Sequence, residues 1–126
     1  MAIQYTIRNE KNYLQLDVSG TYTPGKEAAE MRQMWAEVSD TCRRHQRRRV
    51  LAYSAVTGAL PTMIGFELAS DPSSFGWERN FRMALVFEDK ERYESHLFAE
   101  TVMVNRYYDM KPFMNEDEAK AWLLRP

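Results

Sequence analysis

The sequence predicts an α/β domain built on a five-stranded, mixed but mostly parallel sheet, in the order β-β-α-β-α-β-α-β-α, with its helices on one face. Three observations carry this. Short apolar segments alternate with longer segments of helical period. The first two apolar segments are joined by a few polar residues, as in an antiparallel hairpin, whereas the later ones are separated by helices and must run parallel. The length of 126 residues suits one domain, residues 1–126, with one core. If successive strands are neighbours, right-handed crossovers put every helix on the same side.

Ile3, Tyr5 and Ile7 alternate with Gln4, Thr6 and Arg8, a strand with one buried face. The turn Asn9 to Asn12 leads to a second alternating run, Leu14, Leu16 and Val18. Thr23 followed by Pro24 predicts an N-cap with proline at the first helical position. The helix then runs from about Pro24 to about Arg44, burying Met31, Met34, Trp35, Val38 and Cys42. Val50 to Ala55 is nearly all apolar, which predicts a central parallel strand. A short helix follows from about Thr62 to Ala69, stopped by Ser70-Asp71-Pro72. After the loop PSSFGWERN, Phe81 to Phe87 is a fourth strand. Glu88, Asp89 and Glu91 favour the start of a third long helix, with Tyr93, Leu97, Phe98 and Val102 on its apolar face. Asp109 to Met114 is a last short strand, and Asn115 with Glu118 has capping-box spacing before Ala119, Trp122 and Leu123.

The near-neutral net charge of −1 gives no general field for nucleic acid or a membrane surface. The lone Cys42 cannot form an internal disulfide or a cysteine-rich metal site. No apolar run is long enough to span a membrane, and the opening MAIQYTIRNE does not read as a signal peptide, so a cytoplasmic protein is expected. No metal-binding, phosphate-loop or nucleophile-elbow motif occurs, so neither cofactor, metal nor enzymatic activity is expected. Ser95 and His96 are helix neighbours that diverge, and do not make a nucleophile–base pair.

The segment FRMALVFEDKERYESHLFAETVMVNRYYDMKPFMNEDEAKAWLL resembles the small bacterial SpoIIAA-like proteins of the STAS (anti-sigma-factor antagonist) fold. It does so through the apolar strand, the acidic helix start, ETVMVNR, the strand with Phe113 and the closing DEAKAWL; LQLDVSGTYT is similar to that family's second strand and turn. The resemblance covers nearly the whole chain. It implies a mixed sheet with helices stacked along one side, and a non-enzymatic regulatory or protein-interaction module. In anti-sigma antagonists a strand-to-helix turn carries Asp-Ser-Ser-Gly, whose second serine is phosphorylated by a partner kinase. Here Leu60, Pro61, Thr62 and Met63 lie beneath that motif, so the resemblance puts Thr62 at the acceptor position without the acid or the glycine. Thr62 as a mere helix start is the competing reading. Thr57, Gly58 and Thr62 thus form a candidate phospho-acceptor or partner-binding turn.

Phe75 and Trp77, in a loop expected to be exposed, are candidates to anchor a partner or cover a ligand cleft, or else to fold back on the core. Arg106 follows Asn105 where related chains have Asn-Arg-Gly; the resemblance makes it a candidate anion or partner contact, and Asn105 a candidate left-handed cap in place of the missing glycine. CRRHQRRR, Cys42 to Arg49, is a basic run that suits either anions or a helix C-terminus; nucleic acid is not expected. A protein partner is expected, and the polar-side sheet face or an open edge strand offers a route to a homodimer. The alternative is a carrier of a small apolar ligand or lipid, which requires the helix bearing Ile64, Phe66 and Leu68 to stand away from the sheet.

Overall fold

The computed structural model describes residues 3–58 and 60–126. Strand β1 (Ile3–Asn9) turns through Glu10 to Tyr13 into β2 (Leu14–Gly20), the antiparallel hairpin expected. Helix α1 (Glu27–His45), β3 (Arg49–Ser54), α2 (Thr62–Ser70), a 3-10 turn (Pro72–Phe75), β4 (Arg82–Phe87), α3 (Lys90–Val104), β5 (Asp109–Phe113) and α4 (Glu116–Leu123) follow. The sheet order is β1-β2-β3-β4-β5, and every pair after the hairpin is parallel. Pro112 sits in β5, an edge strand, where a missing ladder donor is tolerated.

Alternation divides the sheet into two faces. Leu14, Leu16, Val18, Val50, Ala52, Met83, Leu85, Phe87 and Met110 share the main core with Met34, Trp35, Val38 and Cys42 of α1, Leu68 and Ala69 of α2, and Val102 and Met103 of α3. The expectation that all helices share one face fails at α4. Ala119 and Leu123 pack instead with Leu51, Ala84, Val86 and Phe113, on the reverse face. The reason is connectivity. Helices α1, α2 and α3 are crossovers between parallel strands, and the handedness rule fixes their side. Helix α4 follows the last strand, crosses to nothing, and is drawn to the apolar reverse of β3 and β4.

Helix α1 begins later than expected. Thr23 does not cap it; Lys26 N donates to Thr23 O at 2.9 Å, with Gly25 at φ +83°. Proline second and glycine third in Thr-Pro-Gly-Lys make a type II turn, which outcompetes a helix start there. Glu30 takes up the loose backbone, accepting from Thr23 N at 2.8 Å and Ile3 N at 3.2 Å. These bonds hold its carboxyl below the usual range. The capping box of α4 forms as read, with Glu118 N donating to Asn115 Oδ1 at 2.9 Å.

The end of α3 differs from expectation as well. Asn105 stays right-handed at φ −64°, and Tyr107 takes the left-handed position at φ +67°. Tyr107 N donates to Val104 O and Tyr108 N to Met103 O, the paired bonds of a Schellman ending that needs its positive φ one residue past Arg106. Tyr107 is 84% exposed, so its ring gains little packing there. Tyr107→Gly is therefore expected to stabilise the fold by about 0.5–1 kcal/mol, since the left-handed penalty slightly exceeds the extra chain entropy of glycine. An unchanged or lower urea midpoint would contradict this.

Candidate functional site

The carboxyl ends of β3 and β4, where ligands of open α/β sheets commonly bind, meet the start of α2 and one face of α3. Helix α2 is short and apolar, yet only Leu68 and Ala69, near its end, are buried. It also meets α3: Phe66 stacks on Phe98 with ring centroids 6.2 Å apart, and both remain partly exposed. Beneath α2 lies an apolar cavity of about 110 Å³, walled by Tyr22, Trp35, Leu60, Leu85, Phe87 and Met103 among others. It shares Leu60, Gly65, Arg92, His96 and Ala99 with a groove of about 490 Å³ between α2 and α3.

Arg92 is the hinge of this arrangement. It lines the cavity, the groove and a third hollow at the strand ends with Thr57, Gly58, Glu88 and Asp89. Its Nη2 donates to the Gly58 carbonyl, and its Nε lies 3.8 Å from the Asp89 carboxylate. Asp89 also caps α3, accepting from Glu91 N at 3.0 Å. One side chain thus ties the turn after β3 to the first turn of α3.

His96 lies one helical turn further on, with its ring 4.4 Å from that of Phe87. Its Nδ1 is 2.8 Å from the Arg92 carbonyl, which can only accept, so Nδ1 carries the proton. Ser95 Oγ, 3.3 Å from the same nitrogen, also donates to the Arg92 carbonyl at 2.9 Å. A protonated Nδ1 cannot take a proton from Ser95, and the two do not form a nucleophile–base pair. Burial pushes the His96 pKa down, and the Arg92 charge adds to that. The unfolded chain therefore takes up this proton first as pH falls. The stability that neutral His96 contributes is full above about pH 6.5 and is lost as pH falls towards the lower folded pKa. Melting temperature is expected to fall between pH 7 and pH 5, and His96→Gln to flatten that slope; an equal slope in the variant would contradict it.

Tyr22 brings a further polar group into the cavity wall. Its hydroxyl is 3.5 Å from the Met31 sulfur, a weak acceptor, and burial raises its pKa.

The residues singled out in the sequence are dispersed. Thr57 pairs across to Thr21, Oγ1 to Oγ1 at 2.7 Å, and Gly58 takes φ +86° at the Arg92 tether. Thr62 is exposed at the first position of α2 and lines the groove; between them, Ala59 lies outside the described residues. Phe75 and Trp77 do not form an exposed loop. They are 8% and 1% exposed, folded onto α1, with Trp77 edge-on to Trp35 at 5.6 Å and to Phe81 at 5.1 Å. The tight 3-10 turn from Pro72, closed by Gly76 at φ +86°, curls the segment inward. Arg106 spends its guanidinium on its own helix, Nη1 donating to Val102 O at 3.1 Å, so it ends α3 rather than facing the groove. Cys42 is buried, its pKa pushed up to about 12 by burial, and so is an unreactive thiol.

Sequence reasoning missed Arg92, Tyr22, Gly65 and the Phe66–Phe98 pair. Gly65 in an otherwise apolar helix was the available signal, since glycine inside a helix costs about 1 kcal/mol and marks close approach or open space. No family model matches the chain, and no curated protein matches it.

Proposed function

We propose that the protein is a non-enzymatic binding module that takes a small apolar ligand beneath α2. One observation carries this: an apolar cavity lies beneath α2, and five of its lining residues also line the groove between α2 and α3. A dry apolar cavity of roughly 150 Å³ accepts a benzene-sized molecule. The present one suits a small ring or a short branched chain as it stands. Outward movement of α2 would join it to the groove and give the several hundred cubic ångströms of an ordinary ligand pocket.

Gly65 provides the test. A Cβ there would meet only Leu60 Cδ2, at 3.9 Å, so a larger side chain can enter the shared wall without a backbone clash. The wild type is expected to bind benzene saturably, with a rise in melting temperature, and Gly65→Leu to lose that binding while melting no lower. Absence of saturable binding, or equal binding by Gly65→Leu, would reject the proposal.

A second reading, a STAS-like regulatory module with a protein partner, draws on the apolar ridge of Met63, Phe66 and Phe98 and on exposed Thr62 beside it. Asp89 and Glu91 in the same groove would repel a phosphate on Thr62, and Arg92 would attract it. Phosphosite mapping after incubation with the native cell extract tests this reading; modification confined to other residues removes Thr62 from it.

A further inference from the structure

The opposite end of the sheet holds a second concavity that the reading above does not use. Where α1 hands over to β3 and the chain enters β4, a cleft of about 540 Å³ is lined by Arg47, Arg48, Arg49, Arg79 and Arg82, with Asp109 as its one acid. Five positive charges against one negative stand together in a chain whose net charge is −1. We infer that this cleft binds a compact polyanion, a small molecule bearing two or more linked phosphate groups.

The way the arginines are held supports this. Among the described residues, Arg82 alone of the five has a carboxylate within ion-pair reach, Nε to Asp109 at 2.9 Å. Three others are fixed by neutral acceptors, which position a guanidinium without neutralising it. Arg47 donates from Nε to Asn9 Oδ1 at 2.9 Å and from Nη2 to Glu10 O at 3.0 Å. Arg49 donates from Nη2 to Arg125 O at 3.1 Å. Arg79 donates from Nε to Arg106 O at 3.0 Å and lies 4.6 Å over the Tyr108 ring. Arg48 makes no side-chain hydrogen bond or ion pair among the described residues, and its charge is free to close on a ligand.

Stabilising a helix C-terminus does not account for the whole group. The carbonyl end of α1 is worth about half a negative charge, and its influence fades within one turn. Against an excess of four positive charges that leaves more than three unbalanced. Arg79 and Arg82 come from the entry to β4 and lie far along the chain from that helix end. Guanidinium groups fixed in advance lose little freedom on binding and meet phosphate oxygens in pairs, which favours a linked phosphate over a single monovalent anion. The cleft is a single local concavity, whereas a nucleic-acid site would need a basic stripe extending beyond it, and the chain as a whole is slightly acidic.

Calorimetric titration of the whole protein with inorganic tripolyphosphate, orthophosphate and a single-stranded oligonucleotide, at matched ionic strength, is the experiment. Tripolyphosphate is expected to bind at one site at least tenfold more tightly than orthophosphate and to raise the melting temperature. Arg48→Glu with Arg79→Gln should weaken it at least tenfold with the circular dichroism spectrum unchanged, and Arg8→Glu, outside the cleft, should leave it unaltered. Should the double variant fold poorly, Arg48→Glu alone, which breaks no side-chain contact, must still weaken binding at least threefold. Equal binding of ortho- and tripolyphosphate, equal weakening by Arg8→Glu, or tighter binding of the oligonucleotide than of tripolyphosphate would overturn the inference.

Discussion

Trp77→Ala is expected to lower the stability of the fold by about 3–5 kcal/mol, the range for deleting a buried aromatic side chain. For a chain of this length that is a melting temperature roughly 10–20 °C lower. The size of the effect comes from what the indole touches. It is 1% exposed and meets Trp35 and Phe81 edge-to-face, so its removal leaves a void lined by rigid rings that cannot collapse to fill it. Its Nε1 has no hydrogen-bond partner among the described residues, which already costs about 1–3 kcal/mol. Trp77→Phe should therefore be far milder than Trp77→Ala, because the phenyl ring keeps much of the contact and removes the orphaned donor. Urea denaturation of both variants checks this. A loss below about 1 kcal/mol in Trp77→Ala would mean that the loop is not part of the core, and would restore it as a candidate partner anchor.

The second large effect is predicted on the reverse face. Leu123→Ala should cost about 2–5 kcal/mol, and Leu124→Ala, one residue on and 36% exposed, less than about 1 kcal/mol. Leu123 and Ala119 are the fully buried residues by which α4 covers Leu51, Ala84 and Val86. With that grip weakened the short helix would release, and a hydrophobic dye should bind the uncovered strands. Equal and small effects from both leucines would show that α4 does not close this face.

How much was legible follows from which interactions decide each element. The hairpin, the parallel strands and the α4 cap rest on local period and spacing, and Leu14 to Val18 or Asn115 with Glu118 announce them. The reverse-face position of α4 was half-announced: Leu51, Ala84 and Val86 make β3 and β4 apolar on both sides, which a sheet covered on one side does not need. The burial of Trp77 was hidden because it depends on Gly76 and Pro72 curling the loop towards a helix more than thirty residues earlier in the chain. Thr-Pro-Gly was ambiguous in itself, and glycine in third place settles it as a turn. The candidate site was the least legible part. Arg92, Gly65 and Tyr22 carry no motif, and only the packing of α2 and α3 over the sheet brings them to one hollow.

The strands stand side by side in the order in which the chain makes them. No strand has to be wedged between two that are already paired. Each new strand can zip onto the outermost one with its preceding helix as the lever arm, so the chain can assemble by accretion from the hairpin outwards. Each parallel pairing must still close a crossover of about thirty residues, Leu14 to Val50 or Arg49 to Arg82, before it gains contacts, so the hairpin is the quick step and the parallel additions the slow ones.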